Sequence, residues 1–455
     1  MRYFRLGSAV TTVLFLISPW FVSAASIPVA PFPQNLSAAN AASTSLPRMF
    51  SFGASPAEPG FTAISADTPF TPERGHGFEN SSPSSSLLSF AADSVSSEKP
   101  FLFSVTLPEG NYRIVVTTPA AYTAPLTIKS ESRRLMIESS GATRHEFIVN
   151  TRNAKVAPPP LNAPGNDHVE LNNRENSPTN GLSYHWDDKL TLEFNGPRPA
   201  ISTLIITPAP EVPTIFLAGD STVTDQPREP GASWGQMLPR WLKPTIAVAN
   251  HAESGETMKS FLTALRLDKL LSTLKHGDYL LLQFGHNDSK AIWPQTYAEA
   301  GTTYNAYLKV FIAEARRRGA IPILVSPVQR RQFGPDGKIR NSHGAYPAAV
   351  AQVAKEENTP LIDLAAISSS FYEALGPDKS ALAFSAGGRD VTHHNNYGAY
   401  QLSRAIISAL QTAVPSLNQH ILVDFPGFDP SHPEDPANFT LAPSPGRTTQ
   451  MPRGN

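Results

Sequence analysis

Close to residue 211 the spacing of apolar residues changes from one period to another, and no single regular architecture satisfies both. From Met49 to about Pro210, short alternating apolar runs are separated by Pro, Gly, Asn and Ser. That is the spacing of strands that bury one face. Beyond Val212, short β-branched or aliphatic runs alternate with longer stretches of helical spacing. Strand and helix repeated in this way predict a parallel sheet covered on both faces, with functional residues at the carboxyl ends of its strands. The 455 residues are enough for two ordinary domains, each with its own core.

The divisions follow from composition. Arg2 and Arg5 precede an apolar run from about Val10 to Val22, which meets the small residues Ser23, Ala24 and Ala25. This pattern predicts a signal peptide over 1–24; the run is shorter than the ~20 apolar residues a spanning helix needs. Residues 25–47 read as an Ala/Ser/Pro linker, 48–210 as an all-β sandwich, and 211–418 as an α/β domain. The stretch 419–455 reads as an irregular, loosely packed tail.

In the β region, Phe101, Phe103, Val105 and Leu107 predict a strand, and Pro108 to Asn111 a turn into a second strand over Tyr112 to Thr117, together a hairpin. Further strands fit Leu126 to Lys129, Leu135 to Ile137, Phe147 to Val149, Leu190 to Phe194 and Ile201 to Ile206, with a Pro-rich surface loop over Ala157 to Asn166. In the second region, strands fit Thr214 to Ala218, Ile246 to Ala249, Tyr279 to Phe284, Ile321 to Val325 and Leu361 to Asp363. Helical spacing is plain in Tyr304, Leu308, Phe311, Ile312 and Ala315, and again in Ala399, Leu402, Ile406 and Leu410.

The 37 basic and 38 acidic residues leave a formal charge of -1, so no global field favours nucleic acid or an anionic membrane. The chain has no cysteine, which removes disulfides, thiol nucleophiles and a lipid-modified leader. The mature protein is expected to be secreted or periplasmic, with no membrane association once the leader is removed. Oligomeric state is not set by the sequence.

Three motifs fall where the fold would gather them. Gly219-Asp220-Ser221-Thr222 follows a strand, which presents the serine to the cleft; a plain helix cap is the alternative. Gly285-His286-Asn287-Asp288 follows another strand, and an Asn amide can donate to an oxyanion; a plain Asn-Asp turn is the alternative. Asp390-Val391-Thr392-His393 precedes a helix starting near Asn396, so one turn can carry a base and the carboxylate that orients it; a surface Asp and His is the alternative.

Together these blocks resemble the SGNH or GDSL-type hydrolases. The flanking words Phe216 to Thr224, Ser233-Trp234-Gly235-Gln236, Gln283 to Asp288 and Thr392-His393 through Ala399 are most similar to the rhamnogalacturonan acetylesterase group. The resemblance implies a flavodoxin-like three-layer α/β/α fold with a parallel sheet. It further implies a Ser221, His393 and Asp390 triad, and an oxyanion hole from the amides of Ser221 and Gly255 and the Asn287 side chain. Gly255 stands in a looser block, Asn250 to Glu256, and His394 replaces an aromatic expected in this group. The implied reaction removes acetyl groups from pectic rhamnogalacturonan, a plant cell-wall polysaccharide, and requires no metal or organic cofactor. Acetylated xylan or another acetylated glycan is the alternative substrate. A decayed, purely carbohydrate-binding protein would be expected to lack one of these residues.

Competing motifs are weaker. Gly231-Ala232-Ser233-Trp234-Gly235 fits a nucleophile elbow but follows a polar loop, so Ser233 is expected to cap a helix. His393, His394 and Asp390 as metal ligands would need adjacent histidines to converge, and no separate ligand cluster is visible. Arg330 and Arg331 follow the strand Ile321 to Val325, where they could pair with pectic carboxylates or be solvated loop charges. The β region, through Phe50 to Gly53, Tyr112 to Ile114 and Trp186 to Leu190, resembles a galactose-binding-like sandwich. Tyr184 and Trp186 could bind sugar there or be core.

Overall fold

The computed structural model describes residues 47–79, 88–158, 167–172, 175 and 184–448. The expected leader, nearly all of the linker and most of the proline-rich loop lie outside these residues.

The first region contains strands β1 (Arg48–Phe52), β2 (Thr62–Ile64), β3 (His76–Phe78), β4 (Leu88–Phe90), β5 (Val95–Ser97), β6 (Phe101–Thr106) and β7 (Gly110–Thr117). It continues with β8 (Pro125–Ser130), β9 (Arg134–Ser140), β10 (Arg144–Thr151), β11 (Lys189–Asn195), β12 (Ala200–Ile201) and β13 (Thr203–Pro208). Two five-stranded sheets, β10-β7-β13-β1-β2 and β3-β6-β11-β8-β9, accompany a three-stranded one, β12-β5-β4. A shared core takes Phe50, Phe52, Phe103 and Phe194 from the first two sheets. Phe52 meets Phe103 edge-on at 5.0 Å, the favourable geometry for two ring quadrupoles.

The expected hairpin does not form. β6 pairs with β3 and β11, whereas β7 pairs with β10 and β13 in the other sheet. Alternation fixes which face of a strand is buried but not its partner, and both strands point their apolar sides at the same core. The connection is pinned by the Tyr112 hydroxyl, which donates to Pro108 O at 2.8 Å.

The second region is built on β14 (Thr214–Gly219), β15 (Ala247–Asn250), β16 (Tyr279–Gln283), β17 (Ile321–Val325) and β18 (Leu361–Ile362). They form one parallel sheet in the order β15-β14-β16-β17-β18. Its helices are α1 (Trp234–Met237), α2 (Met258–Thr263), α3 (Arg266–Thr273), α4 (Thr303–Arg317), α5 (Tyr346–Glu356), α6 (Leu364–Ser380) and α7 (Asn396–Ala413). Alternate residues of β14 face opposite ways: Ile215 and Leu217 join Trp234, Phe371 and Leu402 from α1, α6 and α7, while Phe216 and Ala218 join Phe261, Phe311 and Val350 from α2, α4 and α5. This is the expected three-layer α/β/α arrangement in flavodoxin-like order, preceded by an all-β region. The order reverses at β14, so the crevice for a ligand lies at that strand's carboxyl end.

The tail is irregular as expected, but it is not loose. Lys129 Nζ donates to Ala442 O at 2.8 Å and to Ser444 Oγ at 2.7 Å, and Ser444 N donates to Glu229 Oε1 at 3.0 Å. Backbone bonds join Glu229 N to Gly446 O and Thr448 N to Glu229 O. Proline-rich sequence without a period carries no pattern that reveals such backbone and side-chain anchoring.

Candidate active site

Strand β14 ends in a position that admits only glycine: a Cβ on Gly219 would lie 2.7 Å from both Gln283 O and Val223 Cγ2. The chain then turns sharply, with Val223 N and Thr224 N both donating to Asp220 O. Asp220 Oδ1 accepts from Thr222 N at 3.0 Å and Thr222 Oγ1 at 2.8 Å, and Gln283 Nε2 donates to Thr222 Oγ1 at 2.5 Å. Burial raises the Asp220 carboxyl above its ordinary range, against the pull of the Thr222 bonds. Ser221 is held at this turn, with its main-chain carbonyl accepting from Gln226 Nε2 at 2.9 Å.

The turn before α7 brings the other two residues to it. His393 Nε2 lies 2.8 Å from Ser221 Oγ, and His393 Nδ1 lies 2.8 Å from Asp390 Oδ2. Asp390 Oδ1 accepts from Thr392 N at 2.8 Å and His393 N at 2.9 Å. Burial would raise the Asp390 carboxyl, but its bond to His393, the imidazole's charge and these two amides outweigh that and hold it below the usual range. A carboxylate that only accepts keeps the imidazole proton on Nδ1, leaving Nε2 able to take the serine proton.

Gly255 and Asn287 are the two further groups that the sequence motifs assign to the oxyanion. Gly255 has φ +87°, a left-handed backbone that glycine adopts without cost, and a Cβ there would meet nothing within 4 Å. Among the described residues, neither Ser221 N nor Gly255 N donates to a protein acceptor. Asn287 Nδ2 donates to Glu256 O at 3.0 Å, and Asn287 Oδ1 accepts from Lys290 Nζ at 3.2 Å. Lys290 can only donate and Glu256 O can only accept, so the amide cannot flip, and its second N–H remains for a ligand. Asp288 fixes the same loop through Met258 N at 2.9 Å and Gly285 N at 3.0 Å, its carboxyl pushed up to about 7 by burial.

The alternatives separate on geometry. Ser233 caps α1: its Oγ donates to Val223 O at 2.7 Å and accepts from Gln236 N at 3.3 Å. His394 turns away from His393, with Nε2 2.6 Å from the Tyr372 hydroxyl. Burial, helped by the neighbouring His393, drives His394 down to about 3. Arg331 is used internally, donating to Gly388 O at 2.5 Å, but Arg330 lies beside the triad. Arg330 Nε donates to Thr392 Oγ1 at 3.2 Å, and its charge acts on Asp220 and Asp390. Tyr184 and Trp186 are buried, and Trp186 packs under Arg152 at 4.4 Å, so neither offers an exposed sugar platform.

One group of potential metal-ligating side chains, which spacing could not reveal, comes together among the described residues. Glu175, His185 and Glu253, distant in sequence, are buried with one ligand atom of each within 4.8 Å of the others. Arg266 already bonds both oxygens of Glu175, at 3.1 and 2.6 Å, which supplies a positive charge there. Sequence reading also missed Thr222, Gln283, Lys290 and Tyr372 as supports of the site. Thr222 and Gln283 stand inside the family blocks Phe216 to Thr224 and Gln283 to Asp288, but nothing in those blocks says that the two side chains bond each other.

The GDSL-like lipase/acylhydrolase family profile matches residues 217–402. Rhamnogalacturonan acetylesterase RhgT of Bacillus subtilis (strain 168) is 36% identical over 221 residues, which are 46% of this chain and 94% of RhgT. The uncharacterized esterase YxiM of the same organism is 27% identical over 380 residues, 80% of this chain and 90% of YxiM. The crystal structure of YxiM superposes with a TM-score of 0.44 at 25% identity, covering 80% of this chain and 98% of that one. The chain belongs to the GDSL-like lipase/acylhydrolase family, alongside the rhamnogalacturonan acetylesterases, and is a serine carboxylic ester hydrolase.

Proposed function

We propose that this protein is a secreted esterase that removes acetyl groups from pectic rhamnogalacturonan through an acyl-enzyme on Ser221. The observation that carries the mechanism is the unbroken relay of two 2.8 Å contacts, Ser221 Oγ to His393 Nε2 and His393 Nδ1 to Asp390 Oδ2. Ser221 Oγ attacks the acetyl carbonyl as His393 Nε2 takes its proton, and Asp390 stabilises the imidazolium. The oxyanion is held by Ser221 N, Gly255 N and the free N–H of Asn287, each such donor contributing about 3 kcal/mol. Collapse expels the sugar oxygen, which takes the proton from His393. Water, activated by the same imidazole, then releases acetate and restores the serine.

The substrate class is supported by the relatives' activity and by Arg330. That guanidinium lies beside the triad and forms no ion pair among the described residues, so a sugar carboxylate can supply its counter-charge. Secretion, to the periplasm or beyond, is supported by Arg2, Arg5, the apolar run to Val22 and the small residues after it. The test is acetate release by the purified protein from acetylated rhamnogalacturonan and from acetylated xylan, with Arg330→Gln alongside. Preference for the uronate-bearing polymer, lost in Arg330→Gln, is the expected result; equal or better hydrolysis of xylan overturns the substrate assignment and leaves the mechanism standing.

A further inference from the structure

The turn between β8 and β9, Glu131 to Arg133, together with Arg134 at the start of β9, meets the second region at the loop that follows Ser221. Glu131 and Arg133 both carry left-handed backbone, φ 54° and 63°, which residues with a side chain adopt only when their surroundings hold them there. The surroundings here are polar and buried. Arg134 and Asp225 are each 1% exposed and bonded at 3.0 Å. Asp225 Oδ1 accepts from Asn250 Nδ2 at 2.8 Å, and the same amide donates to Val223 O at 2.7 Å. Arg133 Nη1 donates to Gln226 O and Gly231 O, both at 2.9 Å. Gln236 Nε2 bridges Ser132 O at 2.7 Å and Gln226 O at 2.9 Å. Gln226 in turn holds Ser221 O. Arg152 reaches the opposite flank, donating to Asn250 O at the start of the segment that leads to Gly255.

We infer that the N-terminal β-sandwich is a positioning element of the active site: Arg133 and Arg134 fix Gln226 and Asp225, and through them the Ser221 turn and the approach to Gly255. This rests on Ser221 being the nucleophile. The physical warrant is that a buried ion pair and a carbonyl with two donors leave the loop one low-energy arrangement, whereas the β14 turn alone ends in a polar, proline-containing loop with no regular structure. Displacements on the order of 1 Å at a reacting group cost about 100-fold in rate. Arg133 and Arg134 touch no reacting atom, so their effect passes entirely through the loop.

The test uses the full-length protein and the neutral ester p-nitrophenyl acetate, which removes polysaccharide binding from the measurement. Active sites are titrated with diethyl p-nitrophenyl phosphate, so only competent molecules are counted and partial unfolding does not enter. The variants are Arg133→Gln, Arg133→Lys, the charge-balanced pair Arg134→Met with Asp225→Asn, and Lys269→Met. Lys269 joins the same two regions through Glu109, at 2.7 Å, without touching the serine loop. Arg133→Gln and the charge-balanced pair are expected to lower kcat per titrated site at least about tenfold, with KM within about twofold and phosphorylation slowed in step. Arg133→Lys, which keeps a charged donor, should recover most of the loss, and Lys269→Met should lower thermal stability while leaving kcat per site unchanged. Wild-type kcat per site in the loop variants, at whatever stability, overturns the inference. A Ser221→Ala protein that still turns over would instead overturn the nucleophile assignment beneath it.

Discussion

Replacing Asp390 by asparagine separates the two jobs its carboxylate performs. Oδ1 accepts two backbone amides, Thr392 N and His393 N, and an asparagine oxygen in that place accepts both as before. The amide nitrogen must then face His393 Nδ1, where it can only donate. Nδ1 becomes the acceptor and the imidazole proton moves to Nε2, against the Ser221 hydroxyl, so the base can no longer take the serine proton. Trapping the wrong tautomer in a triad of this kind costs about 10⁴ in kcat, or roughly 5.4 kcal/mol of transition-state stabilisation. Because the turn keeps its bonds, the thermal midpoint should stay within about 3 °C of wild type. Asp390→Ala makes the contrast, since it strands two buried amides at about 1–3 kcal/mol each and should lower the midpoint clearly. The assay is kcat for p-nitrophenyl acetate near neutral pH, with thermal unfolding in parallel. An Asp390→Asn enzyme keeping more than about a tenth of wild-type kcat would refute the tautomer argument.

Asn287→Ala should lower kcat about 10²- to 10³-fold with little change in KM for a small ester, and Lys290→Met, which removes one of the two groups that orient the amide, should give a smaller loss in the same parameter; steady-state kinetics on both variants decide this. His394 stays neutral in the fold down to about 3, whereas the unfolded chain protonates it below the ordinary histidine value of about 6.5, so the group subtracts stability as pH falls through that window. Urea titrations of wild type and His394→Phe should therefore differ by about 1.4 kcal/mol more at about pH 5.5 than at about pH 7.5, in favour of the variant at the lower pH; parallel curves would contradict the assignment. Gly235→Ala would place a Cβ 2.3 Å from Val223 O, behind the Ser221 turn. It should cost about 2–4 kcal/mol of stability by chemical denaturation and reduce kcat as well, because the clash is with backbone.

The parallel sheet was legible because Thr214 to Gly219 and Tyr279 to Gln283 are short, wholly buried and flanked by helical spacing. The serine, the histidine and its carboxylate were legible because each motif is local, and local motifs survive in a one-dimensional reading. What escaped was long-range pairing. The partners of β6 and β7 are not written in their alternation, and Arg134 finds Asp225, like Lys129 finds Ser444, across a sequence distance that no period spans. Tyr184 and Trp186 looked equally like a sugar platform and a core because the same aromatic residues serve both, and only their surroundings bury them.

In the proposed mechanism Ser221 carries the acetyl group. Acetate release from acetylated rhamnogalacturonan by wild type, Ser221→Ala and Ser233→Ala tests it most directly. Loss of all release in Ser221→Ala, with activity kept in a Ser233→Ala protein destabilised by about 1 kcal/mol through its lost helix cap, is the result the structure predicts. Undiminished release by Ser221→Ala, or abolition by Ser233→Ala in folded protein, would contradict it.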